Sequence, residues 1–296
     1  MDNKQIRQEA RYLLKGKWIK LSIIYLLFFT FFSYVNNAPT MLNTSSTALT
    51  LGMAILGLIL TVFLIPFFYG LIDVMVRAAR GEKVRLFEFV SVGLKNFKNA
   101  YFLVFFTIIN LAIPILTFVF TAFITDWASK NGNSFLTVTF GILYLISTFF
   151  LFARFFYYVI GIFVMIDNKD KNVKQILDES KEIMSMERLN LLKLFAHFII
   201  IIAIIAAISS TVAIAINPEH PLVLVILYTG AALMFPYIQI SMYVFYEYHK
   251  DPHYKYKYEE HMKEIETKKE NKEKKQENKR ENNDPITDGK KKKKKK

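Results

Sequence analysis

No cysteine occurs among the 296 residues. That absence removes a disulfide framework, a thiolate zinc site, an iron–sulfur cluster and a cysteine nucleophile. Chain punctuation is sparse too, with 11 glycines and 8 prolines. Asp, Glu, Lys and Arg make up only 21% of the residues, against 53% hydrophobic, and long stretches carry almost no charge. The common catalytic signatures are missing: no G-x-x-x-x-G-K-[ST] phosphate loop, no H-E-x-x-H zinc helix and no G-x-S-x-G nucleophile elbow. The adjacent acids Glu259 and Glu260 fall in a charged tail rather than in an apolar run. A soluble two-domain enzyme and a disordered or fibrous chain are thereby excluded. No catalytic set, metal site or cofactor is expected.

What is present is apolar and aromatic, with 28 Phe and 16 Tyr. Six apolar blocks run from about Trp18 to Val35, Leu51 to Val76, Tyr101 to Thr125, Phe135 to Ile166, Leu191 to Ile216 and Leu222 to Tyr246. A hydrocarbon core of about 30 Å needs roughly 20 helical residues, so each block is long enough to span it. Backbone polar groups find no water there, so spanning segments are helices or closed barrels. Barrel strands alternate polar and apolar over about 10 residues. These runs are continuous, and the sequence predicts an all-α, multi-pass protein with six transmembrane helices.

Lysine and arginine orient it. Lys4, Arg7, Arg11, Lys15 and Lys17 precede the first block. Arg77, Arg80, Lys83, Arg85, Lys95 and Lys98 follow the second, and Lys169, Lys171, Lys174, Lys181 and Arg188 follow the fourth. The alternate loops, Asn36–Thr50, Asp126–Ser134 and Asn217–Pro221, hold a single basic residue, Lys130. Basic loops stay on the cytoplasmic side. Both termini are therefore expected on the cytoplasmic side of the membrane. The charged, amphipathic opening reads as an uncleaved signal rather than a cleavable one.

The blocks fall into three hairpins, each preceded by an amphipathic segment. Ile6, Ala10, Leu13, Leu14 and Trp18 share one face of the first, with Lys4, Arg7, Arg11 and Lys15 opposite. Phe87, Val90, Leu94 and Phe97 mark the second, and Val173, Ile176, Leu177, Ser180 and Met184 the third. Such faces suit the headgroup boundary of an anionic inner leaflet, the expected lipid partner. The reading divides the chain into an amphipathic helix at 1–17, a six-helix domain at 18–246 and a tail at 247–296. The tail holds 18 basic and 12 acidic residues and ends in seven lysines, Lys290–Lys296. It cannot bury a core and is expected to be disordered. Tyr254-Lys255-Tyr256-Lys257-Tyr258 interleaves aromatics with lysine, but directly after an apolar block it reads as an interfacial anchor, and no nucleic-acid partner is expected.

Two charged residues inside the blocks are candidates for function, because charge in hydrocarbon is costly. Arg154 lies within the fourth block and Asp73 near the end of the second. One reading pairs them around a polar pocket or pathway. The other leaves Asp73 interfacial beside Arg77 and lets Arg154 snorkel on its long stem. Pro66, Pro114 and Pro236 each free a carbonyl within a block and predict kinks, with Asn110 placed to meet one of them. Gly70, Gly141, Gly161 and Gly230 are expected to allow close helix approach. His249 and His253 stand i,i+4 with Pro252 between them, a poor metal pair.

Several separated motifs resemble a family of bacterial integral membrane proteins called domain of unknown function 975, common in Gram-positive bacteria. They are Ile6-Arg7 with Ala10-Arg11-x-x-Leu14-Lys15-Gly16-Lys17-Trp18; Gly70 with Ala79-Arg80-Gly81-Glu82 and Leu86-Phe87-Glu88-Phe89; Arg154 with Tyr157-Tyr158 and Ile166-Asp167-Asn168; Ile176 with Glu179-Ser180-Lys181 and Met184; and Pro236-Tyr237 with Phe245-Tyr246. The resemblance covers about residues 4–250. The chain departs from it at Ser185-Met186-Glu187-Arg188. The resemblance implies topology and carries no catalytic residue. The functional expectation is a non-enzymatic membrane protein in envelope homeostasis or protection against membrane-active peptides. The alternatives are a small-solute or lipid transporter and an accessory subunit docking a protein partner.

Overall fold

A computed structural model describes residues 2–41, 62–215 and 221–251, with isolated positions within 52–59 and 254–267. Among the described residues the protein is helical throughout, without a strand. The helices are α1 (Asn3–Leu13), α2 (Trp18–Met41), α3 (Ile65–Ala79), α4 (Glu88–Lys95), α5 (Phe97–Lys130), α6 (Ser134–Phe155), α7 (Gly161–Asp167), α8 (Val173–Ala215) and α9 (Pro221–Lys250). Met1–Lys250 form one compact unit, and Asp251–Lys296 a second. Glu247 and Lys250, assigned to the tail by sequence, continue α9 and belong to the first unit. The lysine run Lys290–Lys296, His253, Pro252 and most of Leu51–Thr61 lie outside the described residues.

Three helices, α5, α6 and the Val173–Val212 part of α8, are long and apolar enough to cross a membrane. Most of their side chains point outward: Ile113 is 75% exposed, Phe149 76% and Ile199 60%. An apolar surface of that extent is not stable against water. It suits a bilayer, where dispersion against lipid tails replaces burial.

Local chemistry sets the helix ends. The backbone N–H of Asp2 donates to Gln5 Oε1 at 2.9 Å, opening α1. Asn133 Oδ1 accepts from the Leu136 N–H at 3.1 Å and opens α6. Asn172 and Gln175 exchange backbone-to-side-chain hydrogen bonds of 2.9 and 3.1 Å at the start of α8. Such caps satisfy donors that the first helical turn leaves free. Gly132 takes φ +67° in the tight turn joining α5 to α6, a conformation that side-chain-bearing residues rarely adopt.

Two sequence blocks are divided differently. The fourth is not one helix: α6 stops at Phe155, the chain turns, and α7 starts at Gly161. The turn is held from outside, since Ser180 Oγ donates to the Tyr157 carbonyl at 2.8 Å and the Arg188 guanidinium stacks 4.2 Å from the Tyr157 ring centroid. Conversely, the third amphipathic segment and the fifth block merge into the 43-residue α8. Nothing between them breaks the 3.6-residue pattern.

The three amphipathic segments pack in a cycle. α1 rests on α9, α4 rests on α3, and the first turns of α8 rest on α7. Each docks on the helix that closes an apolar pair, and α1 completes the ring by docking on the last. In α1 the expected face is buried at Ile6, Ala10 and Leu14, joined by Glu9. In α8, Val173, Ile176, Leu177, Ser180 and Met184 are all buried, as their spacing predicts. α4 differs. It buries Phe89 and Gly93 against α3, while Phe87, Leu94 and Phe97 stay 65%, 53% and 41% exposed. The apolar stripe seen in sequence is the outward face there.

Backbone contact explains the choice. A Cβ on Gly70 would lie 2.0 Å from the Phe89 carbonyl oxygen, and one on Gly93 would lie 2.5 Å from that of Pro66. Gly230 is close-packed against Ile205 as well, whereas Gly141 faces open space and mediates no approach. Gly93→Ala and Gly70→Ala are each expected to cost at least about 1–3 kcal/mol, the range for overpacking. Gly141→Ala should leave stability unchanged or slightly raised, because alanine favours the helix. Thermal unfolding of the detergent-solubilised variants measures the difference.

Candidate functional site

Four charged side chains converge where α3, α7 and α9 end together. Arg80, at the C-cap of α3, contacts the Asp167 carboxylate at the end of α7. Its Nη2 also lies 3.2 Å from Glu247 Oε1, and its Nε donates to the Tyr243 hydroxyl at 3.0 Å. Lys250 reaches Asp167 Oδ2, to which the Tyr246 hydroxyl also donates at 3.1 Å. Phe163 packs beside Tyr243 and Tyr246 beneath this cluster, with ring centroids 6.3 and 6.2 Å away. The Asp167 side chain is only 5% exposed. Burial pushes its carboxyl upward, but the hydrogen bonds from Arg80 and Lys250 more than offset that and hold it below the ordinary carboxylate range. Charges brought here serve to tie three helix ends to one another.

A second set lies one turn back on α3. Arg77 Nε pairs with Asp73 Oδ2 at 2.9 Å and its Nη1 with Glu88 Oε1 at 2.8 Å. The Arg85 backbone N–H donates to Glu88 at 2.8 Å. That backbone bond, then the bond from Arg77, draws the Glu88 carboxyl below its usual range. The set fixes the Gly81–Phe87 loop between α3 and α4.

Beside this loop, Lys17 Nζ donates to the Ala78 carbonyl at 2.5 Å and Lys20 Nζ to the Val84 carbonyl. The Lys17 ammonium sits at the C-terminal end of α3, where the helix dipole favours a cation, and that of Lys20 sits on the loop that follows. With Gly16, Gly81, Glu82 and Lys83 they wall a cavity of about 380 Å³. A second cavity of about 380 Å³ lies among the apolar helices. Its wall is aromatic and aliphatic, including Tyr25, Phe28, Phe29, Phe68, Tyr69 and Phe235. The Tyr25 and Phe235 rings stack with centroids 4.0 Å apart.

Of the two readings of Asp73 and Arg154, the one that pairs them does not hold. Asp73 is buried and already matched by Arg77. Arg154 is exposed, with its guanidinium 5.6 Å from the Phe150 ring centroid. The i,i+4 spacing puts a partner for Asp73 on its own helix, and α6 carries Arg154 outward among apolar side chains. The transport reading loses its principal support.

The prolines act locally. Pro66 stands in the first turn of α3, where its missing N–H leaves the Val62 carbonyl without its usual donor. The Tyr101 hydroxyl donates to that carbonyl at 2.8 Å. Pro114 and Pro236 lie inside the continuous helices α5 and α9. Asn110 donates to the Phe106 carbonyl at 2.7 Å, a bond within its own turn rather than relief of a proline break. Near Pro236, Trp18 Nε1 donates to the Leu233 carbonyl at 2.8 Å. His249 lies 3.2 Å from Glu187 of α8, so the departure at Ser185–Arg188 supplies contacts through Glu187 and Arg188.

The four-way contact of Arg80, Asp167, Glu247 and Lys250 was not anticipated. Its signal was available, since each residue lies where the second apolar block of a pair ends.

The family described as a protein of unknown function (DUF975) matches residues 1–251, and the chain belongs to that family. No curated protein and no solved structure matches it. The clasp joins three of the motifs that carry the resemblance: Ala79-Arg80-Gly81-Glu82, Ile166-Asp167-Asn168 and Phe245-Tyr246.

Arg80→Met leaves the buried Asp167 with Lys250 as its one cation, beside the Tyr246 hydroxyl. It is expected to cost up to about 3 kcal/mol, the lower end for breaking a buried pair. Because the folded Asp167 carboxyl titrates below its unfolded value of about 3.9, its stabilisation is complete above that pH and lost as pH falls through the folded value. Wild type should therefore lose thermal stability between about pH 5 and 3 more steeply than Asp167→Asn. A melting series against pH in detergent tests both.

Proposed function

We propose that this chain is a non-enzymatic integral protein of the bacterial cytoplasmic membrane, threaded six times with both termini inside. In this reading it acts in envelope homeostasis, including protection against membrane-active peptides. The observation that carries it is the segregation of chemistry. Charged groups pair with one another at the basic end, while the space among the apolar helices is walled by aromatic and aliphatic side chains. A surface of that kind engages acyl chains and amphipathic peptides through dispersion and burial. The basic flanks favour an anionic inner leaflet, which fixes the depth and direction of insertion.

A chain free of cysteine is suited to direct topology mapping. In whole cells, Lys130→Cys should react with an impermeant maleimide, whereas Lys83→Cys and Lys169→Cys should react only after the membrane is opened. Equal labelling of all three would overturn the threading. The functional reading is tested with a deletion strain challenged by membrane-active peptides and envelope stress. Selective sensitivity, restored by wild type, is expected. Growth indistinguishable from the parent under every challenge would remove this role.

A further inference from the structure

The lysine-walled cavity and the aromatic cavity share two walls. Lys17 just before α2, with Lys20 and Leu21 on it, faces the first, and Tyr25, Phe28 and Phe29 of α2 face the second. On the other side, Ala78 and Gly81 at the end of α3 face the first, and Leu64, Phe68 and Tyr69 near its start face the second. One seam between α2 and α3 thus carries a cationic space at its basic end and an apolar space deeper down.

Lys20 and Phe28 are eight residues apart, about 12 Å along the helix axis at 1.5 Å per residue. Half of a hydrocarbon core is about 15 Å thick. The two spaces are therefore separated by about the depth that separates a phosphate from the middle of an acyl chain. Each lysine ammonium has three donors, and the carbonyl bonds of Lys17 and Lys20 are single. Donors remain for a phosphate, with Lys83 exposed at the rim. In front of Gly16 and Gly81 a Cβ would meet nothing within 4 Å, so the mouth is open. Glu82 is the one acid in this wall, and its Oε2 lies 3.8 Å from Arg77.

We propose that this seam is a binding site for one anionic phospholipid of the adjoining leaflet, its phosphate held by Lys17, Lys20 and Lys83 and an acyl chain lying against Tyr25, Phe28 and Phe68. The site rests on the membrane-embedded reading above and names the ligand that the envelope role would engage. Charge complementarity selects an anionic headgroup over a zwitterionic one. The aromatic wall gives the chain a fixed place rather than the averaged contact of bulk lipid.

The test uses the full-length Phe68→Trp protein in phosphatidylcholine vesicles. These contain equal fractions of either phosphatidylglycerol or phosphatidylcholine brominated at mid-chain. Quenching is read above that of the parent, which carries Trp18 and Trp127. The brominated anionic lipid should quench at several-fold lower fraction than the zwitterionic one. Lys83→Gln, an exposed substitution that leaves the fold intact, should reduce that preference about fivefold, the effect of one basic residue at an anionic surface. Lys17→Gln with Lys20→Gln should abolish it. Added inorganic phosphate should leave it unchanged.

Equal quenching by both lipids, or a preference untouched by Lys83→Gln, overturns the site. Displacement of the lipid by inorganic phosphate overturns its identity as a lipid. Resistance of the protein to carbonate extraction, read on the same vesicles, separates failure of this site from failure of membrane embedding.

Discussion

The Asp167 carboxylate is the point on which the arrangement of helices depends. It is nearly buried and takes Arg80, Lys250 and the Tyr246 hydroxyl at once. A buried charge is tolerated only when its hydrogen-bonding capacity is met, and losing one partner costs far more than the pair is worth against an apolar substitute. The carboxylate therefore requires the ends of α3, α7 and α9 to stay together. Aromatic packing of Phe163 with Tyr243 and Tyr246 seals the contact from the apolar side.

Around that point the amphipathic segments act as braces. Each of α1, α4 and the start of α8 lies on one of the three helices that the clasp joins. The contact of α4 on α3 is the tightest, because Gly70 and Gly93 let two backbones touch. The contact of α8 on α7 uses Ser180 and Arg188 to hold the turn before α7. Side chains left outside these contacts, such as Phe87 and Leu94, are apolar and sit among lysines and arginines. That combination suits the boundary between headgroups and hydrocarbon. The lysine-walled cavity lies beside the links that join these braces to the longer helices, Gly16 and Lys17 before α2 and Gly81–Val84 after α3.

The candidate site was legible only in part. Sequence reasoning identified the costly groups, Asp73 and Arg154, by their position in apolar blocks. It left open whether they pair with each other or whether Asp73 stays beside Arg77 and Arg154 snorkels, because a block has no visible neighbours in one dimension. Asp73 has Arg77 one turn away, and the local partner prevails over a remote one. Arg154 sits on α6, whose surface is almost wholly outward. The residues that do converge were seen as motif fragments, Arg80 in one place, Asp167 in another and Tyr246 in a third. Their meeting depends on which helix ends share a corner, which no single segment encodes. Pro66 was legible as a break in the helix, but the hydroxyl of Tyr101 that relieves it was not.

By itself the sequence determined the all-helical class, the apolar helices α5, α6 and α8, the buried faces of α1 and α8, and the concentration of basic residues at alternate loops. These follow from periodicity and from the cost of unpaired backbone groups in an apolar phase, which are properties of a segment alone. The family resemblance was legible in the same way, as ordered motifs along the chain. Only the tertiary structure decided that the fourth apolar block turns after Phe155, that α4 shows its apolar stripe outward, and that Arg80, Asp167, Glu247 and Lys250 form one cluster. Each is settled by a partner far away in the chain: a hydroxyl for a carbonyl, a backbone for a glycine, a cation for a buried carboxylate. Long-range satisfaction of polar groups has no periodic signature, so it enters only when the helices are assembled.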